Sequence, residues 1–175
     1  MKRLAPLPVL MLALAAGLAA APDIGGVPER VVFLGPAAPV MVYAGRSSKA
    51  LLEFRVGATY HINSNTPKSE LLIPTLLLLT PPPELSVGKV SYPAGLDATF
   101  PFAPTETLNV YAGRFILNTT VSASAKATPG AYKMRGVLKY QACDDRACYP
   151  PKQMPVEFDV TVKKSTIADT PKTKK

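Results

Sequence analysis

The sequence predicts an all-β sandwich of about eight or more strands. Three observations carry this. From Val27 onward, short apolar or alternating runs recur with the period of a half-buried strand. Clusters of Pro, Gly, Asn and Ser separate them, drawn from 19 prolines and 11 glycines in 175 residues. No stretch keeps a helical period, and short strands at short spacing with frequent turn signals are the pattern of a sandwich.

Val31 to Leu34 and Pro39 to Tyr43 read as short strands, and Ala44 to Ser48 as a turn by composition. Ala50 to Val56 is firmer, because Leu52, Phe54 and Val56 share one face and Glu53 and Arg55 the other. Gly57 to Pro67 is dense in polar groups and holds the only histidine, His61, so it reads as a strand end running into a loop. Thr75 to Thr80 reads as a buried strand, stopped by Pro81, Pro82 and Pro83, which cannot donate to a ladder. Val87 to Tyr92 is a further strand. Residues 93 to 107 read as a long irregular segment carrying Phe100 and Phe102, and a loop of that length is commonly functional. Leu108 to Tyr111 resumes the sheet, Ala112 to Arg114 turns it, and Phe115, Leu117, Thr119 and Val121 then share one face. After a turn at Thr128 to Gly130, Tyr132, Met134, Leu138 and Tyr140 lie in phase. Val156 to Lys163 alternates without a fault.

The ends differ from the body. Lys2 and Arg3 precede an apolar run from Leu4 to Leu18 and the small residues Ala19 to Ala21, the pattern of a secretory signal peptide over residues 1–21. Pro6 and Pro8 interrupt that run, which is also short for an anchor helix. Without it, 18 basic side chains face 12 acidic ones, and five of the lysines lie in the stretch from Lys163 to Lys175. Residues 163–175 are therefore expected to be a solvated, disordered tail. Residues 22–162 form one domain with a nearly neutral body, which offers no electrostatic footprint for nucleic acid. A domain of that length buries enough surface to fold without covalent help.

The stretch with chemical potential is Tyr140-Gln-Ala-Cys143-Asp-Asp-Arg-Ala-Cys148-Tyr-Pro-Pro, which holds both cysteines of the chain. The strand ending at Tyr140 leads in and the strand over Val156 to Lys163 follows, which places the pair at the mouth of a hairpin. In an exported protein such a pair can form a persistent disulfide. A ring this small contributes only about 2 kcal/mol through loop entropy, a weak staple. Arg146 inside it favours a thiolate and Asp144 and Asp145 oppose one. Tyr140 and Tyr149 are placed to shield the sulfurs. From the residues alone, a working thiol–disulfide couple and an inert structural bond both stand open. A Cu(I) set of the cysteines, His61 and Met134 or Met154 is a weaker third reading, since the spacing matches no zinc pattern, and no metal or other cofactor is expected. One histidine with no nucleophile paired to it by motif gives no support to hydrolysis. The glycosylation triplet Asn118-Thr119-Thr120 falls inside a strand pattern and carries little weight.

This cysteine segment resembles that of the N-terminal periplasmic domain of the thiol:disulfide interchange protein DsbD, where Tyr-Gln-x-Cys is followed by Cys-Tyr-Pro-Pro. Gly57 to Asn63 and Val110 to Leu117 are similar to further segments of that family. The resemblance implies an immunoglobulin-like sandwich that takes electrons from a thioredoxin-like protein or domain, itself fed by a membrane electron-transfer protein, and passes them to oxidised exported clients. It implies a periplasmic location, a role as a component of protein-disulfide reduction or cytochrome c biogenesis, and a monomer. Cys148 would form the mixed disulfide with the partner and Cys143 would resolve it. A cap within Asp97 to Pro104 would cover the pair with Phe100 or Phe102, and His61, Asn63 and Arg146 would line the site. His61 and Asn63 stand where that family carries tyrosines, the ring is one residue shorter, and Asp97 is the only candidate for its acidic pair. The rival expectation is a binding or scaffold domain of the same fold with an inert bond.

Overall fold

The computed structural model describes residues 29–165, all strand, turn or loop with no helix. The strands in chain order are β1 (Val32–Leu34), β2 (Val40–Tyr43), β3 (Ser47–Val56), β4 (His61–Asn63), β5 (Leu76–Thr80), β6 (Leu85–Val87), β7 (Leu96–Phe100), β8 (Ala103–Tyr111), β9 (Arg114–Ala123), β10 (Gly130–Tyr140), β11 (Ala142–Cys143) and β12 (Lys152–Lys163). The expected leader and residues 166–175 of the expected tail lie outside the described residues. Lys163, where that tail was expected to begin, is the last residue of β12.

Two sheets face each other across one core, an immunoglobulin-like β-sandwich. One has the order β1-β3-β9-β6 and the other β2-β12-β10-β5. Alternation decides which side chains enter: Leu52, Phe54, Phe115 and Leu117 from the first sheet meet Met134, Leu138, Val156 and Phe158 from the second. Phe54 is fully buried and stacks on Phe115 at 5.4 Å. Burial of that one ring contributes about 2–3 kcal/mol. β12 runs antiparallel to β10 and parallel to β2, so it forms the spine of its sheet.

A third sheet, β11-β4-β8-β7, is built from the chain between the main strands and carries the cysteines. Gly113, at φ 60°, makes the sharp turn by which β8 leaves this sheet and β9 enters the first. A left-handed residue is needed there, and glycine adopts that conformation without a Cβ penalty.

Four expectations are corrected. Residues 93–107 are not irregular: β7 and β8 pair in a hairpin, Leu96 to Val110 through Phe100 to Ala103, with an irregularity between Ala98 and Phe100. Its proline and threonine content read as loop, but Pro101 sits in the turn and Pro104 in the part of β8 that β4 does not reach. The strand expected over Val87 to Tyr92 is instead β6 followed by a lone bridge from Ser91 to Asn118. β5 is an edge strand rather than a buried one: Leu77 is 3% exposed, while Leu76 and Leu78 are 42% and 41% exposed. An apolar run does not distinguish a buried strand from one with a wet face. Lastly, the turn after β2 is shorter than Ala44 to Ser48, because β3 already begins at Ser47.

Candidate functional site

The cysteines sit in the connection between β10 and β12, where the hairpin expectation placed them. Cys143 and Cys148 form a disulfide and face each other as an antiparallel bridge with Cα atoms 3.9 Å apart. Hydrogen bonds already clamp the two arms: Asp144 N donates to Ala147 O at 3.0 Å and Tyr149 N to Ala142 O at 2.8 Å. The pair is asymmetric. Cys143 has no exposed surface, whereas Cys148 is only half-buried at the rim.

Asp144 organises the ring. Its Oδ1 accepts from the backbone N–H of Arg146 at 2.8 Å and of Ala147 at 3.0 Å, and its Oδ2 accepts from the Tyr149 hydroxyl. The Arg146 guanidinium reaches the same carboxylate at 3.4 Å while its side chain stays 82% exposed. These bonds, led by that from Tyr149, hold the Asp144 carboxyl well below the ordinary carboxylate range. The same contact raises the Tyr149 hydroxyl, which remains a donor. A carboxyl depressed in the folded state stabilises the fold above its ordinary pKa, near 4, and that contribution is lost as pH falls through the folded value. Asp144→Asn is therefore expected to be less stable than wild type at pH 7 by denaturant unfolding, with the gap closing as pH falls below about 4. A gap that stays constant into acid would show that the charge is not what matters.

β4 brings the second half of the site. Thr59, a β-branched residue at φ 67°, turns the chain so that Tyr60 and His61 arrive beside the ring. That conformation costs roughly 1–3 kcal/mol, and such strain persists where surrounding structure over-determines it. Cys143 pairs in register with His61, and Ala142 with Ile62. His61 is 4% exposed and its Nε2 has no hydrogen-bond partner. Its ring lies against Phe100 at 3.8 Å and 12°, and Phe102 continues the stack 5.8 Å from Phe100. Burial lowers the His61 pKa, opposed by the charges of Asp145 and then Asp144. A cleft of about 300 Å³ opens beside His61, bounded by Tyr60, Phe100 and Asp145. A larger cleft, about 640 Å³ between Leu51, Leu96 and Phe115, is lined by neither cysteine nor His61.

The remaining expected residues divide. Asn63 is buried and donates to Ile73 O and Gln141 Oε1, both at 3.0 Å, while its own Oδ1 has no partner. Tyr149 lies 6.3 Å from Tyr60, ring to ring. Tyr140 packs in the sandwich core at 2% exposure. Asp97 stands in the hairpin, tied to Asn109 at 2.7 Å and Lys68 at 2.6 Å. Among the described residues no three His, Cys, Asp or Glu side chains gather as a metal site.

Two residues escaped the sequence reading. Gln141 locks the loop before β5 to the exit of the ring, accepting from Ile73 N at 3.0 Å and donating to Tyr149 O at 3.2 Å. Asp144 was weighed only as a charge, although an aspartate opening a tight turn is a known acceptor for backbone N–H groups two and three residues on.

No protein-family model matches the chain, and no curated protein matches it significantly. It is similar in structure to the N-terminal periplasmic domain of ScsB from Proteus mirabilis, with TM-score 0.51 and 16% identity over 77% of this chain, which spans 49% of that one. It is also similar to the DsbD N-terminal domain of Neisseria meningitidis in the reduced form, with TM-score 0.40 and 24% identity over 67% of this chain and 80% of that one. A third similar structure is the complex between the DsbD N-terminal and PilB N-terminal domains of the same organism, with TM-score 0.43, 24% identity, and coverage of 79% and 88%. The likeness to the ScsB domain agrees with the sandwich fold described above. The DsbD N-terminal domain is also the family that the cysteine segment resembles.

Proposed function

We propose that the chain is a periplasmic thiol–disulfide exchange module that relays electrons through the Cys143–Cys148 couple. The observation that carries this reading is the asymmetry of the pair, one cysteine half-buried and the other fully buried. Exchange requires one sulfur that a partner can attack and a second that stays within reach to expel it. A structural role gains little support, because backbone hydrogen bonds already clamp the six-residue ring and it ties no distant strands.

In this reading Cys148 carries the mixed disulfide and Cys143 resolves it. The likeness of the cysteine segment to the DsbD family supports a thioredoxin-like donor supplied by a membrane electron-transfer protein, with oxidised exported proteins as clients. The leader pattern at residues 1–21 supports export across the inner membrane, and residues 22–162 are the working domain.

The test is the reduction potential of the couple, measured by equilibration against glutathione and dithiothreitol buffers. A value above about −300 mV, in the range of exchange proteins, is expected. A value well below about −300 mV would mark an inert bond and a binding or scaffold domain instead.

A further inference from the structure

The relay reading, on which this inference rests, leaves one requirement unmet. The resolving thiol must lose a proton, and Cys143 is sealed from water with 0% exposure. Burial in apolar surroundings raises a thiol pKa, so an unaided Cys143 would be a poor nucleophile near neutrality.

The register supplies a base. Cys143 and His61 are directly opposed across the β11–β4 pair. Opposed residues of an antiparallel pair project to the same face with Cβ atoms about 4.5–5.5 Å apart. The His61 Nε2 is buried without a partner, beside a cysteine that offers no donor while it is disulfide-bonded. A buried nitrogen left unpaired is unfavourable. Reduction creates an S–H on the neighbouring side chain and thus the missing donor. The other groups facing the ring do not compete for the role. The hairpin offers Leu96, Ala98, Phe100 and Val110, none of which titrates. Asp145 and Asp144 act on His61 as charges, and Asp144 is already saturated by Tyr149, Arg146 and Ala147. Tyr60 lines the same cleft but is not opposed to a cysteine.

We propose that His61 is the proton acceptor for the resolving cysteine. With Cys148 Sγ joined to a partner's sulfur, the Cys143 thiol passes its proton to His61 Nε2, in the tautomer that carries hydrogen on Nδ1. The Cys143 sulfur then attacks Cys148 Sγ, the intramolecular disulfide forms, and the bond to the partner breaks. The electron pair leaves on the partner's sulfur, which takes up a proton from imidazolium or water. The cysteine pair is oxidised by two electrons and the partner disulfide is reduced by two. Burial lowers the imidazole pKa, which favours the neutral form that can accept a proton.

The experiment follows the reduced chain after mixing with glutathione disulfide, by acid quench and mass spectrometry across pH 6 to 9. Formation of the glutathione adduct and its closure to the Cys143–Cys148 bond are read separately. In wild type the closure rate is expected to be flat from pH 7 to 9 and to fall only on the acid side. A thiol of ordinary pKa, about 8.5, is roughly 3% ionised at pH 7, and burial lowers that fraction further. His61→Phe, which keeps a ring against Phe100, is therefore expected to close at least about 30-fold more slowly at pH 7, the gap shrinking as pH rises. Two results would overturn the proposal: closure of His61→Phe at the wild-type rate throughout, or a wild-type rate that climbs tenfold per pH unit between 6 and 8. Absence of both the adduct and the intramolecular disulfide, in wild type and in the chain with Phe100 and Phe102 replaced by Ala, would remove the relay reading itself, and this inference with it.

Discussion

Cys148→Ser is expected to abolish exchange, whereas Cys143→Ser is expected to attack a partner and then stall as a stable mixed disulfide. The difference follows from placement. Cys148 is the less buried of the two residues, and in the proposed relay it is the one that meets a bulky partner. Cys143 has no exposed surface and reaches only sulfurs already joined to Cys148. A serine hydroxyl forms no disulfide under these conditions, so each substitution stops the sequence at its own step. Neither should unfold the protein, since losing a six-residue ring costs about 2 kcal/mol on the loop-entropy estimate. Non-reducing electrophoresis of each reduced variant with an oxidised thioredoxin-like protein reads the result. A near-stoichiometric adduct is expected for Cys143→Ser and a loss of at least 100-fold in adduct rate for Cys148→Ser. Equal trapping by the two variants would reverse or dissolve the assigned roles.

The sandwich was legible wherever strands obey strict alternation. Phe115 to Val121 and Val156 to Val162 enter the core at every second residue, and both appear in the sequence as unbroken period-two patterns. The position of the cysteine segment was equally legible, because a hairpin mouth follows from the two strands that bracket it. What was hidden is non-local. Nothing near residue 61 says that it will oppose residue 143, because that pairing spans most of the domain and is set by how the third sheet attaches. The β7–β8 hairpin was hidden for a different reason. Its edge position lets it keep Asp97, Thr99 and Thr105, residues that composition assigns to loops. The leucine run before Pro81 misled in the opposite sense, since Leu76 and Leu78 lie on the wet face of an edge strand.

On the proposed relay, the rings at the hairpin tip are expected to act as a barrier. Phe100 and Phe102 are both half-buried and stack in sequence on His61, which adjoins Cys143 across the strand pair. Each aromatic contact contributes about 0.5–1.5 kcal/mol beyond area, and partial burial of the two rings adds about as much again. A closed tip is then expected to be favoured by roughly 2–6 kcal/mol, which converts to at least about 30-fold protection, at 1.4 kcal/mol per factor of ten. Replacing both phenylalanines by alanine is expected to speed alkylation of the reduced protein by iodoacetamide, and reduction of the oxidised protein by dithiothreitol, by about that factor. Phe100→Ala alone should give the larger share, because its ring touches His61 directly at 3.8 Å whereas Phe102 lies 6.4 Å away. The stability cost should stay below the 3–5 kcal/mol typical of removing a core phenylalanine, since neither ring is fully buried. Unchanged rates for both reactions in the double variant would mean that the rings pack against His61 without guarding the sulfurs. A rate gain confined to reduction would place the barrier over the disulfide alone, with the tip already lifted in the dithiol form.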